Sequence, residues 1–123
     1  MIALDTSAII ELLKGTEKGK KIASTFGSEE IAASTVSINE VLIGALGKQR
    51  EIAHAFVDTL KFLDLDVDAA KMSVDVEESL ARNGKMIGKL DIFIAATALA
   101  QGLALLTADK DFKNVAGLKV ILV

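Results

Sequence analysis

Cysteine is missing from this chain of 123 residues. Disulfides, thiolate nucleophiles and thiolate metal sites are therefore excluded. Histidine occurs once, at His54, so one chain cannot build a zinc site on two or three histidines. His54 sits between apolar neighbours in a helical segment and reads as a packing or interface residue. Proline, tyrosine and tryptophan are absent too. Little besides carboxylates and hydroxyls is left to carry chemistry. The amino terminus has no basic segment leading into an apolar one, so no signal peptide is expected. The uncharged stretch 92–108 is shorter than a usual bilayer span and contains Gln101, Gly102 and two threonines. It reads as a buried helix, a tight turn and a buried strand. A soluble, cytoplasmic protein with no membrane association is expected.

The length fits one domain over residues 1–123. A domain of this size buries roughly 65% of the surface its unfolded chain exposes. Apolar residues make up 51% and charged residues 25%, which argues against disorder. The mean hydropathy of +0.44 calls for a buried sheet, a large protein interface, or both. The formal net charge of -3 argues weakly against non-specific nucleic-acid binding. Setting aside four acids that could hold metal leaves the rest of the chain close to neutral.

Short apolar runs alternate with helical patterns. Ile2 to Leu4 reads as a central strand, and residues 8–14 as a helix closed by Gly15. Residues 17–26 read as a weaker helix interrupted by Gly19. A strand at 31–36 precedes a helix from Ile38 to Leu46, and a further helix spans about 49–60. Residues 61–67 alternate as an edge strand. Asp68 is placed as the cap of a helix running to about Asn83, and residues 85–90 as a loop. Asp91 begins the most apolar helix, which ends near Ala100. Leu103 to Leu106 forms a strand, a turn follows, and Lys119 to Val123 is the last strand. Continuous apolar strands with helices between them predict a parallel sheet covered on both faces.

Four carboxylates stand near the ends of these apolar runs: Asp5, Glu40, Asp91 and Asp109. Each has a structural use. Asp5 suits a helix N-cap, and Asp109 suits a turn, with Asp111 competing two residues later. Asp91 suits the first turn of its helix. Ser37-Ile38-Asn39-Glu40 fits a capping box, which by itself explains the glutamate. Jointly they point further, because a parallel sheet gathers ligands at the carboxyl ends of its strands. Grouped carboxylates repel and need cations or protons nearby. Oxygen-only ligands favour Mg²⁺ or Mn²⁺. Such ions activate water and stabilise charge on a phosphoryl oxygen. Thr6, Ser7 and Thr107 are placed to support that site. Arg82, Lys85 and Lys89 flank Asp91 and could hold a phosphate backbone or simply be solvated.

Four segments carry a resemblance over essentially the whole chain: Leu4-Asp5-Thr6-Ser7, Ser37-Ile38-Asn39-Glu40-Val41-Leu42 followed by Gly44, Asp91-Ile92-Phe93-Ile94-Ala95-Ala96-Thr97-Ala98, and Leu106-Thr107-Ala108-Asp109-Lys110-Asp111-Phe112. In this order and spacing they resemble the PIN-domain family, and within it the VapC-type ribonuclease toxins. The resemblance implies a three-layer α/β/α sandwich with a central, mostly parallel sheet. It also implies a homodimer that cuts RNA at phosphodiesters and is blocked by a cognate antitoxin protein. By the same resemblance Asp5, Glu40, Asp91 and Asp109 are the catalytic and metal-holding residues, with Ser7 and Thr107 in support. Asp111 is a fifth acid beyond that pattern.

Two rival readings start from the same residues. An aspartate-based phosphatase would use Asp5 as nucleophile, but Ser7 occupies the place of its second aspartate. A non-catalytic protein- or RNA-binding module would keep the acids only as caps.

Overall fold

The computed structural model describes residues 1–123. Five short strands make one sheet: β1 (Ile2–Leu4), β2 (Ile31–Ser34), β3 (Lys61–Leu63), β4 (Leu105–Thr107) and β5 (Val120–Leu122). Their order is β3-β2-β1-β4-β5, and every neighbouring pair is parallel. β1 is central and β3 is an edge, as the sequence predicts. Parallel neighbours need crossovers, and helices supply them. These are α1 (Thr6–Lys14), α2 (Glu17–Phe26), α3 (Thr35–Gly44), α4 (Lys48–Val57), α5 (Val67–Arg82) and α6 (Lys89–Ala100), with a 3-10 turn at Lys110–Asn114. No helix is long and apolar enough to cross a membrane.

The period of two along each strand divides the core. Ile2, Leu4, Ala33 and Leu106 face a layer containing Ala8 and Ile9 of α1, Ile22 of α2, Val41 of α3 and Ala53 of α4. Ala3, Ala32 and Leu105 face the other way, against Val76 and Leu80 of α5 and Ile92, Ala95 and Ala96 of α6. The result is the expected α/β/α sandwich. Burying each large aliphatic such as Leu4, Ile9 or Leu106 contributes about 1.5–3 kcal/mol. Small residues let helices come close. A Cβ placed on Gly19 would lie 2.2 Å from the Glu11 carbonyl oxygen, so only glycine permits this α1–α2 crossing. Gly19, which reads in sequence as a weakness of α2, is thus its docking point.

Several boundaries differ from the sequence reading. β2 stops at Ser34, and α3 begins at Thr35, not at Ile38. β3 leaves the sheet after Leu63, and Asp66 rather than Asp68 caps α5, accepting from the Ala69 N–H at 2.9 Å. α6 starts at Lys89, two residues before Asp91. β4 includes Thr107, and the following turn holds a 3-10 segment. His54 is exposed on α4 and packs no core.

Candidate active site

Because all five strands run the same way, Asp5, the start of α3 and Thr107 share the carboxyl edge of the sheet. Asp5 follows β1 and caps α1. Its Oδ1 accepts the Ala8 N–H at 3.0 Å, and the Ser7 hydroxyl donates to the carboxylate, 2.9 Å from both oxygens. The residue is only 3% exposed. Burial raises its pKa above the usual carboxylate value. The bonds from Ala8, Thr107 and Ser7 oppose that rise without cancelling it.

Ser7 also ties this corner to β4. Its Oγ accepts the Ala108 N–H at 3.0 Å and lies 3.3 Å from the Thr107 hydroxyl. Thr107 Oγ1 accepts the Asp109 N–H at 2.9 Å. Asp109 Oδ1 then accepts the Asp111 N–H at 2.9 Å and caps the 3-10 turn. A continuous polar chain therefore runs from Asp5 through Ser7 and Thr107 to Asp109. Asp111 itself is exposed.

The capping box expected at Ser37 and Glu40 does not form. Ser34 is the cap of α3, and its Oγ accepts the Ser37 N–H at 3.1 Å. Ser37 lies inside the first turn and is buried. Glu40 is one turn further along than a capping glutamate must be, so capping no longer explains it. Its Oε1 instead accepts the Thr6 hydroxyl at 2.6 Å, which carries it across to the start of α1.

Asp91 is the third residue of α6, whose cap, Gly88, makes no side-chain bond. No hydrogen bond to the Asp91 carboxylate is present, so this acid caps nothing. Its pKa is pushed up to about 6, first by burial and then by the charges of Asp109, Glu40, Asp5 and Asp111. The fold therefore brings Asp109, Glu40, Asp5 and Asp111 within electrostatic reach of Asp91, which includes the four acids singled out from sequence.

They do not close on a single point. No three acids stand in the arrangement that would hold a metal ion as the side chains lie. Three of them point their oxygens at separate partners: Asp5 at Ala8 and Ser7, Glu40 at Thr6, Asp109 at Asp111. The donor set still fits a hard divalent cation, because it is all oxygen and its mutual repulsion already raises Asp91.

The basic candidates are spread out. Arg82 is exposed at the end of α5, and Lys85 is exposed beyond it. Lys89 pairs with Glu77 at 2.7 Å and lies 5.4 Å from the Phe93 ring centre. A separate open cavity of about 570 Å³ is lined by Asp109 with Lys18, Lys110, Ala108, Leu122 and Val123. Lys18 gave no signal in sequence, since only the fold brings α2 to β5. Ser34 was also missed, because it reads as part of an apolar strand.

The PIN domain family matches residues 2–118. The chain is 31% identical to the VapC ribonuclease Y4jK of Sinorhizobium fredii, covering 98% of this chain and 96% of that protein. It is 32% identical to the ribonuclease VapC1 of Rickettsia felis, covering 99% and 96%. Among solved structures, DNA-bound VapBC from Salmonella typhimurium superposes with a TM-score of 0.79 at 26% identity, covering 98% of each chain.

Proposed function

The chain belongs to the PIN-domain family, with VapC-type toxins among its relatives, and from that premise we propose that it is a divalent-cation-dependent endoribonuclease. The observation that carries this reading is Asp91, an acid with no hydrogen bond, held in the field of Asp109, Glu40, Asp5 and Asp111. Structural uses account for Asp5 and Asp109. A place in the first turn of α6 accounts for an acid at Asp91 but not for one partly buried, unbonded and in the field of four like charges.

In this reading Asp5, Glu40, Asp91 and Asp109 hold Mg²⁺ or Mn²⁺. When bound, such a cation supplies Lewis acidity toward a phosphoryl oxygen and acidifies water. The chain's own residues set the geometry. Thr6 orients Glu40, Ser7 fixes Asp5 against the β4 rim, and Thr107 holds the backbone that presents Asp109. Arg82, Lys85 and Lys89 remain candidates for the RNA backbone, Lys89 after release from Glu77. The test is cleavage of single-stranded RNA with Mn²⁺ and with EDTA, beside Asp91→Asn. Dependence on the cation and loss in the variant are expected. Cleavage undiminished by EDTA would end the proposal.

We also propose that the whole chain acts as one cytoplasmic domain, as the toxin of a toxin–antitoxin pair and as a homodimer. VapBC complexes among the structural relatives support a protein partner. So does an apolar groove of about 510 Å³ lined by Ile10 and Leu13 of α1, Val41 of α3 and Ile52 of α4. Ile43 and Leu46, next in sequence to the lining residues Gly44 and Ala45, are 69% and 72% exposed. Co-purification with the product of an adjacent gene tests the partner, and light scattering tests the dimer.

The non-catalytic reading draws on one observation, that no three acids are yet in ligand geometry. Calorimetry with Mn²⁺ separates the two, since a module with caps alone binds none. A phosphatase using Asp5 is disfavoured. That carboxylate is 3% exposed and its oxygens are engaged by Ser7 and Ala8.

A further inference from the structure

The cavity beside Asp109 has three kinds of wall. Asp109 belongs to the acid group. Lys18 from α2 and Lys110 from the 3-10 turn are cationic, and both are exposed. Leu122 and Val123 supply an apolar side, with Leu122 38% exposed.

The four ion pairs of the chain use Lys20, Lys61, Lys89 and the amino terminus, and none uses Lys18 or Lys110. Nor does either ammonium make a hydrogen bond within the chain. Two free cations on separate elements thus border one cavity with an acid of the candidate catalytic group. The chain is acidic overall. A strand of nucleic acid approaching this edge therefore meets repulsion from the acids unless cations beside them offset it.

We propose that Lys18 and Lys110 form a phosphate-binding pair that seats one nucleotide of single-stranded RNA against Leu122 and Val123, next to the phosphodiester presented to the acids. The inference rests on the reading of RNA as substrate and names how that substrate is held. A lysine is a point charge suited to phosphate oxygens. The apolar wall has no aromatic ring for stacking but suits van der Waals contact with a ribose or base face beside a cationic groove. The cavity holds a nucleotide-sized group and is open, so a strand can pass through without threading.

The experiment is a salt titration. Binding of a fluorescein-labelled, mixed-sequence single-stranded RNA is followed by anisotropy with Ca²⁺ in place of Mg²⁺. Wild type is compared with the Lys18→Ala/Lys110→Ala double variant. Lys61→Ala serves as control, since Lys61 opens β3 at the opposite edge of the sheet. Each phosphate contact on a single strand contributes about 0.7 to the slope of log K against log salt. The double variant should be shallower by about 0.7 if both ammoniums share one phosphate and by about 1.4 if they take the two phosphates flanking the nucleotide, and the control unchanged. In cleavage assays with Mg²⁺ its KM should rise several-fold with kcat held within about twofold, as for lost uniform binding. Circular dichroism checks that the variant is folded. The charge-reversed pair, Lys18→Glu/Lys110→Glu, should weaken binding further.

Wild type that binds and cleaves RNA while the double variant keeps the same slope overturns the pair and leaves the nuclease reading intact. Wild type that neither binds nor cleaves RNA overturns both. Loss of affinity for a partner protein, with RNA binding unchanged, overturns the RNA subsite and assigns the cavity to that partner.

Discussion

The rim between β1 and β4 and the start of α6 both carry acids, yet they hold them in opposite ways. At the β1–β4 rim, Asp5, Ser7, Thr107 and Asp109 form one hydrogen-bonded chain in which each side chain has a partner. At α6, Asp91 has none, and its surroundings are unfavourable to its charge. The first region satisfies its hydrogen bonds internally, although burial still makes the Asp5 charge costly. The second is costly to the fold unless a cation or proton relieves it. Binding chemistry is better diagnosed by the acid the fold fails to satisfy than by the acid it satisfies well.

The largest effect that could break this contrast is on catalysis. Asp91→Asn should lower RNA cleavage by about 10²–10³-fold, in the range of losing one transition-state electrostatic contact. Steady-state assays at saturating Mn²⁺ check it, and near-normal activity would mean that Asp91 is only a strained surface acid.

Next in size is the tied rim. Asp5→Ala should cost about 2 kcal/mol of stability, because it removes a helix cap and leaves the Ala8 N–H without its acceptor. Asp5→Asn keeps an acceptor and should stay within about 1 kcal/mol of wild type while losing activity. Urea unfolding measures both. Equal losses in the two variants would show that the charge, not the cap, holds this corner.

Thr6→Val tests the link between the regions, since it releases Glu40. Its affinity for Mn²⁺ should fall about tenfold, as for the loss of a partner that orients a ligand. Calorimetry reads this directly, and unchanged affinity would place Glu40 outside the metal site.

The smallest effect has the most telling sign. Asp91 has a folded pKa of about 6 against an ordinary 3.8, so between those values the native state binds more protons than the unfolded one. Its contribution therefore lowers stability as pH rises through that window. Above about pH 6 the full cost stands. Asp91→Asn should remove it and stabilise the chain by about 1 kcal/mol, a figure discounted because the group is only partly buried. The gain should vanish below about pH 4, where Asp91 is protonated in both states. Thermal melts at two pH values check it. Destabilisation at neutral pH would mean that the charge has a favourable partner after all.

Much of this was legible in the chain itself. Apolar runs ending in Asp5 and Thr107 marked parallel strands, and the intervening helical periods marked the crossovers that cover both faces. The misjudged places share a cause. Thr35 and Val36 are β-branched and extend the apolar run of β2, so in sequence the helix starting there reads as strand and its cap falls three residues late. Asp64 and Asp66 continue the alternation of β3, although the strand has already left the sheet at Leu63. Periodicity cannot separate the last residue of a buried strand from the first turn of a helix. That error gave Glu40 a structural explanation it does not have. The cavity between Lys18 and Lys110 was beyond reach for a different reason. It depends on α2 lying beside β5, which follows from sheet order and the close approach at Gly19, not from any local pattern.

The cap at Asp5 also bears on how such a protein can change over generations. Asparagine starts a helix about as well as aspartate, so on the proposed reading one amide in place of one acid would silence cleavage while the domain still assembles. Copies altered in this way would keep the groove between α1, α3 and α4, and with it the partner proposed to dock there. A lineage could thus pass from enzyme to decoy in a single substitution, without an unfolded intermediate.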